Sequence, residues 1–268
     1  MAGERGITRN ASYNDGMNDH LSGLRYAQMI QQALMPPAEQ LSSLLKNHFV
    51  FFRPRDIVSG DFYYAATSGE YIIIAAGDCT GHGVPGALLS ILGISFLNEI
   101  IQIKAVPRAN RILNRMREKM MVALNQKGVV AEKKDSIDIA ICVIEPMHGI
   151  IQYAGANRPL IMIRNGRIKE FKPDKMPIGI APLEERSFIN HRIELEEEDS
   201  FYLFSDGFID QFGGERNKKF KSGKFREMLL SLQERPMNMQ LKIIEKTFYD
   251  WKGSNPQVDD ILILGFEI

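Results

Sequence analysis

The 268-residue chain is poor in cysteine and tryptophan, has no excess of charge of either sign, and holds no long unbroken apolar run. Its two cysteines, Cys79 and Cys142, are too few for a disulfide framework and stand outside any zinc-like Cys/His spacing. Lys plus Arg is 33 and Asp plus Glu is 33, so the basic excess that phosphate-backbone binding needs is missing and nucleic acid is not an expected partner. The apolar runs, such as Tyr71 to Ala76, fall far short of the roughly 20 residues that cross a bilayer, so no membrane span is expected in this segment. The opening MAGERGITRN lacks the apolar core of a secretion signal, and a reducing cytoplasm is the expected compartment. No glycine pattern of the P-loop or Rossmann type is present, and no internal repeat, which removes the usual nucleotide sites and the solenoid folds.

What is present is an ordinary globular composition, 44% hydrophobic and 25% charged, long enough to bury a sizeable core. Residues 1–20 are polar and aperiodic and read as a disordered tail. From Leu21 to Leu34 the apolar residues Leu21, Leu24, Ala27, Ile30, Ala33 and Leu34 recur at helical spacing, and Pro36-Pro37 ends the pattern. This divides the chain into a tail, a linker helix over 21–37 and a body over 38–268. In the body, strands are predicted at Phe49 to Phe52, Asp61 to Ala65 and Tyr71 to Ala76, the last two forming a hairpin around Thr67-Ser68-Gly69. Helices fit Val84 to about Ile103 and, with Pro107 at the first helical position, Pro107 to about Asn125. Ser136 to Ile144 alternates strictly and pairs with Gly149 to Ala154, while Asn165-Gly166 joins the strands Leu160 to Arg164 and Arg167 to Phe171. A strand at Ser200 to Phe204, helices at Lys224 to Gln233 and Met239 to Trp251, and a strand at Ile261 to Phe266 complete an α+β reading with mainly antiparallel sheets under helices.

Three of these strands finish or begin on aspartate: Tyr71 to Ala76 runs into Gly77-Asp78, Phe201 to Phe204 into Ser205-Asp206-Gly207, and Asp259-Asp260 opens Ile261 to Phe266. If the last strand runs antiparallel to the other two, these acids meet at one edge, and Asp61 beside Gly60 adds a fourth. Crowded carboxylates repel and are costly to bury unpaired, so such a cluster encloses a cation; oxygen ligands alone point to Mg²⁺ or Mn²⁺. Taken singly, each Asp-Gly pair also reads as a common turn.

Six segments together resemble a known family: Val58-Ser59-Gly60-Asp61-Phe62-Tyr63, Gly77-Asp78-Cys79-Thr80-Gly81-His82-Gly83-Val84-Pro85-Gly86-Ala87, Tyr153-Ala154-Gly155-Ala156-Asn157-Arg158-Pro159-Leu160, Met176-Pro177-Ile178-Gly179, Phe204-Ser205-Asp206-Gly207 and Asp259-Asp260-Ile261. In order and spacing they are similar to the signature blocks of the bacterial SpoIIE-like branch of the PPM (protein phosphatase 2C-type) metal-dependent serine/threonine phosphatases. The resemblance implies an α-β-β-α sandwich of two antiparallel sheets and a centre of two Mn²⁺ or Mg²⁺ ions. It also implies hydrolysis of phosphoserine or phosphothreonine on a protein, in bacterial members commonly an anti-sigma-factor antagonist, by an output domain of a signalling pathway. By the same resemblance Asp78 bridges both metals, Cys79 offers its backbone carbonyl rather than its thiol, Asp61, Asp206 and Asp259 complete the catalytic and metal-binding set, and Asp260 stands behind them. Ser59 departs from the family's more usual glycine.

The remaining candidates carry less. Arg53, Arg55 and Arg158 are possible phosphate ligands but read better as surface or turn residues. His82 reads as a general acid or, better, as a residue shaping the turn into the next helix. Arg216, Lys218, Lys219, Lys221, Lys224 and Arg226 form a basic cluster that reads equally as a solvated loop or as a contact for an acidic protein substrate. Two rival functions stay open, a pseudophosphatase that only binds and a hydrolase of small phosphate esters. The apolar stripe of the helix 21–34 must be covered, by the body of the same chain or by the same helix of a second chain in a homodimer.

Overall fold

The structure is a computed structural model that describes residue 19 and residues 21–103, 107–126, 135–180 and 186–268. Apart from residue 19, the expected tail lies outside the described residues. In chain order, helix α1 (residues 21–34) and α2 (Ala38–Leu44) precede strands β1 (Asn47–Arg53), β2 (Phe62–Ser68) and β3 (Tyr71–Cys79). Helices α3 (Gly83–Ile101) and α4 (Ala109–Ala123) follow, then β4 (Ile137–Glu145), β5 (Ile150–Ala156), β6 (Leu160–Arg164), β7 (Arg167–Phe171), β8 (His191–Glu194) and β9 (Ser200–Phe204). The chain continues through α5 (Gly207–Asp210), a small hairpin of β10 (Phe212–Gly213) and β11 (Lys218–Lys219), α6 (Ser222–Ser231) and α7 (Met237–Lys252), and closes with β12 (Ile261–Glu267). The strands form two five-stranded sheets, ordered β1-β12-β9-β6-β7 and β2-β3-β4-β5-β8, in which every ladder is antiparallel.

Period-two alternation assigns the side chains to layers. Ile73 and Ala75 of β3, with Ile139, Ile141 and Val143 of β4, pack under α3 and α4 against Ile94, Leu97, Ile112 and Met116. Their neighbours Ile74, Ala76, Ala140, Cys142 and Ile144 face the other sheet, where Phe201, Leu203, Leu262, Leu264 and Phe266 meet them. The intervening Tyr202, Phe204, Ile261 and Ile263 turn outward and are covered by Phe208, Phe225, Leu229, Ile244 and Phe248 of α5, α6 and α7. The result is the expected α-β-β-α sandwich. Each large side chain so buried contributes roughly 1.5–3 kcal/mol before entropy is counted. A one-residue slip of β3 would turn Asp78 away from the inter-sheet side and send Cys79 there instead.

Several local expectations shift. The β2–β3 turn is the two-residue Gly69-Glu70, with Gly69 at φ +60°, because Ser68 still pairs with Tyr71. Pro107 is not the first residue of α4, which starts at Ala109 with Arg108 in the extended N-cap position. Helix α2, strand β8 and the β10–β11 hairpin carry too few residues for a periodic signal and went unread. Helix α3 is long and apolar enough by length and composition to cross a membrane, which a search for unbroken runs misses because Gly86, Ser90 and Gly93 interrupt it. Half of that stretch is buried in the protein, and it packs on β2, β3 and α4 as a core helix. In α1 the apolar stripe is only partly docked: Leu24 and Ala27 are half-buried, Leu21, Ile30 and Leu34 are exposed, and the fully buried residue of the helix is Gln31.

Candidate active site

The carboxylates predicted from the strand ends come together at one rim of the sandwich, contributed by both sheets. Antiparallel pairing of β2 and β3 sets Phe62 opposite Gly77, so Asp61, one residue before, lies beside Asp78. On the opposite sheet, antiparallel β9 and β12 bring Asp206, two residues past the end of β9, next to Asp259. The sheets are tied at this rim by two polar links. The Ser205 hydroxyl donates to Asp61 Oδ2 at 2.5 Å and accepts from the Leu262 amide, while Asp260 accepts the Gly60 and Arg55 amides, each at 2.7 Å. Asp61 and Asp260 are both 2% exposed, and Asp260 lies behind the cluster as expected. Gly60 is required by close approach: a Cβ there would stand 2.7 Å from the Gly81 carbonyl oxygen and 3.4 Å from that of Cys79. Thus the Cys79 carbonyl faces the acidic turn, whereas its buried thiol belongs to the core under α3.

Of two further members of the cluster, the sequence does not single out Asp138 and offers Arg158 only as one of three candidate phosphate ligands. Asp138 is the register partner of Asp78 on β4, and its position on the Ala140 and Cys142 face was the signal available. Arg158, read as a surface or turn residue, is instead inside the cluster, with only 13% of its side chain exposed. Its Nη2 donates to Asp78 Oδ2 at 2.6 Å and Asp206 Oδ2 at 2.7 Å and lies 3.5 Å from Asp138 Oδ2. The other two candidate arginines are engaged elsewhere, Arg53 with Glu245 at 2.5 Å and Arg55 with the Val258 carbonyl. His82 occupies the N-cap position of α3 and its Nδ1 lies 2.9 Å from Asp56 Oδ2, in keeping with a role in the turn.

Electrostatics show what the cluster lacks. Burial, then the charge of Asp78, pushes the Asp61 carboxyl well above the usual range, against the Ser205 hydrogen bond. Burial pushes Asp78 up to about 7; Arg158 opposes this, and Asp206 and Asp259 add to it. Asp138 and Asp259 are also raised, chiefly by burial. For Arg158 burial acts to lower the pKa, but Asp78 and Asp206 outweigh it and the guanidinium is held charged. Asp78, Asp138 and Asp206 therefore surround one guanidinium, Asp61 is close enough to feel its charge, and Asp259 and Asp260 adjoin the other acids rather than the arginine. An all-oxygen donor set short of positive charge fits hard divalent cations. Among the described residues, however, no three His, Cys, Asp or Glu side chains are already closed up around a metal-sized space.

The fold and this rim define a protein serine/threonine phosphatase of the PPM type. The chain belongs to the family described as Stage II sporulation protein E (SpoIIE), whose match spans residues 68–268. Among solved structures it is similar to the SiaA-PP2C domain of Pseudomonas aeruginosa, at 30% identity and a TM-score of 0.84, covering 94% of this chain and 98% of that one. It is also similar to the PP2C phosphatase domain and regulatory fragment of SpoIIE from Bacillus subtilis, at 15% identity and a TM-score of 0.66, covering 82% of this chain and 62% of that one. The catalytic domain of the phosphatase PstP in complex with two manganese ions gives 12% identity and a TM-score of 0.58, with 82% and 96% covered. No curated protein sequence matches the chain significantly.

Proposed function

We propose that the chain is a phosphatase dependent on Mn²⁺ or Mg²⁺, in which Asp61, Asp78, Asp206, Asp259 and the Cys79 carbonyl hold two ions and the substrate is a phosphoserine or phosphothreonine protein. The observation that carries this is the convergence, from two separate sheets, of four carboxylates two of which are driven far above their normal protonation range by burial and mutual repulsion. Bound divalent ions supply Lewis acidity, acidifying water and neutralising the charge of a phosphoryl group. The chain's own residues prepare that site. Ser205 fixes one oxygen of Asp61, leaving the other free; the Asp61 amide donates to Ser59 Oγ at 3.0 Å; and Asp259 accepts the Asp260 amide at 2.8 Å. Asp61 and Asp259 are thus oriented before a cation arrives.

The partner we propose is an acidic signalling protein of the anti-sigma-factor-antagonist kind. Two structural neighbours support a protein partner, the RsbU and RsbW domains of Rv1364c from Mycobacterium tuberculosis and a structure described as the bacterial stressosome, a modular system adapted to control secondary messenger signaling. A concavity of about 760 Å³ lined by Arg216, Lys218, Lys219, Lys221 and Lys224 offers the complementary charge. Pairing of α1 with a second copy of the chain is part of the same proposal, supported by the exposure of Tyr26, Met29, Ile30 and Leu34. The test compares a phosphorylated antagonist protein with free phosphoserine, each with Mn²⁺ and with excess chelator. Turnover of the protein alone, abolished by chelator, is expected. Full activity in chelator would remove the metal reading, and equal activity on free phosphoserine would make the chain a small-ester hydrolase.

A further inference from the structure

Arg158 has a place in the carboxylate cluster that phosphate binding does not explain. A single nitrogen, Nη2, bridges Asp78 of one sheet and Asp206 of the other, at 2.6 and 2.7 Å, which is where a cation shared by those two acids would sit. The backbone of this residue is fixed independently. Tyr153 donates its hydroxyl to the Arg158 carbonyl at 2.6 Å, the Arg158 amide bonds to the Ala156 carbonyl, and the preceding Asn157 adopts φ +57° while its side chain donates to Asp138 Oδ1 at 2.8 Å. The guanidinium itself is held by carboxylates alone, and its Nε is buried without any hydrogen-bond partner. A permanently structural arginine usually has that N–H satisfied, because an orphaned buried donor costs free energy. The pose is therefore good for charge and poor for hydrogen bonding.

We propose that Arg158 is a built-in counter-cation, which occupies the seat between Asp78 and Asp206 when no divalent ion is there and must vacate it for the ions to bind. Resting on the metal-site reading above, this makes guanidinium pairing and metal binding mutually exclusive. The guanidinium engages Oδ2 of both acids, and charge repulsion disfavours a divalent ion on those same oxygens while it stays there. The consequence follows from linkage: a state that must be broken before binding lowers apparent affinity by the fraction of molecules it occupies. Arg158 thus keeps a cluster of six acids folded without metal and sets the concentration of divalent ion at which the enzyme switches on. It is a positioning and competing residue, and its signature is an affinity rather than a rate.

The test is calorimetric titration of the full chain with Mn²⁺, alongside thermal unfolding with and without Mn²⁺, for wild type and Arg158→Gln. In the variant, Mn²⁺ binding is expected to tighten about tenfold or more, a gain of about 1.4 kcal/mol. Its metal-free Tm should fall, and its gain in Tm on saturation should exceed that of wild type. A variant that folds only with Mn²⁺ meets the same expectation. Affinity equal to or weaker than wild type would overturn the proposal, while failure of the wild-type chain to bind Mn²⁺ at all would remove the metal site and this inference with it. Should the variant fold under neither condition, the wild-type arginine Nε–Hε NMR signals decide during titration with Mg²⁺. One signal is expected to change in step with occupancy, and no responding arginine signal would overturn the competition.

Discussion

Helix α1 touches the site through one buried polar side chain, so Gln31→Leu is the informative perturbation. The Gln31 amide group clasps the backbone of Ser59, donating to its carbonyl at 2.5 Å and accepting from its amide at 3.1 Å, and also donates to Ser90 Oγ at 2.7 Å. Gln31 is 2% exposed and Ser59 fully buried, so water does not replace the lost partners. Ser90 keeps its bond to the Ala87 carbonyl and only a long one, 3.5 Å, to the Ser59 carbonyl, so the Ser59 amide is orphaned and its carbonyl is nearly so. At about 1–3 kcal/mol each, partly offset by the apolar leucine, the expected loss is about 2–4 kcal/mol. Urea unfolding measures it, against Leu34→Ala on the exposed side of the helix, which should stay within about 0.5 kcal/mol of wild type. The effect should also reach catalysis, because the Ser59 hydroxyl holds the Asp61 amide and Gly60 is tied to Asp260. Several-fold weaker Mn²⁺ binding and lower kcat are expected together. A loss under about 1 kcal/mol would refute the energetic argument, and a full loss with unaltered Mn²⁺ affinity would reduce α1 to passive packing.

Asp78→Asn or Asp206→Ala should lower kcat on a phosphoprotein by several powers of ten while the fold, checked by circular dichroism, is retained; wild-type turnover in either variant removes that residue from the mechanism. In chelator, Asp78→Asn should also gain stability over wild type as pH rises from about 4 to 7. The folded pKa is raised to about 7, so the wild-type acid stabilises the fold when protonated and that contribution is lost on ionisation. The gain is on the order of 4 kcal/mol, from a rise of about 3 in pKa at about 1.4 kcal/mol each, and a difference in Tm that stays flat across this window refutes it. Gly207→Ala would place a Cβ 2.0 Å from the Asp260 carbonyl oxygen, and a loss of roughly 2 kcal/mol or more in urea unfolding is expected. Unchanged stability there would mean that α5 shifts freely against the start of β12.

The sequence by itself determined the layers and the acids. Strict alternation in Ile137 to Ile144 and the Asn165-Gly166 turn are local signals, readable because side-chain period and turn chemistry depend on nearest neighbours alone. The family blocks carried Asp61, Asp78, Asp206 and Asp259 in order, and the structure brings these four to one rim. What only the tertiary structure decided depends on contacts between residues far apart in the chain. Pairing of β1 with β12 joins the two ends of the body, and the Ser205 link to Asp61 spans 144 residues, so no window of sequence contains either. Arg158 was misread for that reason. Nothing in Ala156-Asn157-Arg158-Pro159 distinguishes a turn arginine from one aimed between two sheets, since its partners Asp78 and Asp206 lie 80 and 48 residues away. The same holds for α1, where hydrophobicity marked the stripe of Leu21, Leu24, Ile30 and Leu34, of which only Leu24 is half-buried, while the fully buried contact is a polar match, Gln31 to the backbone of Ser59, which periodicity cannot register.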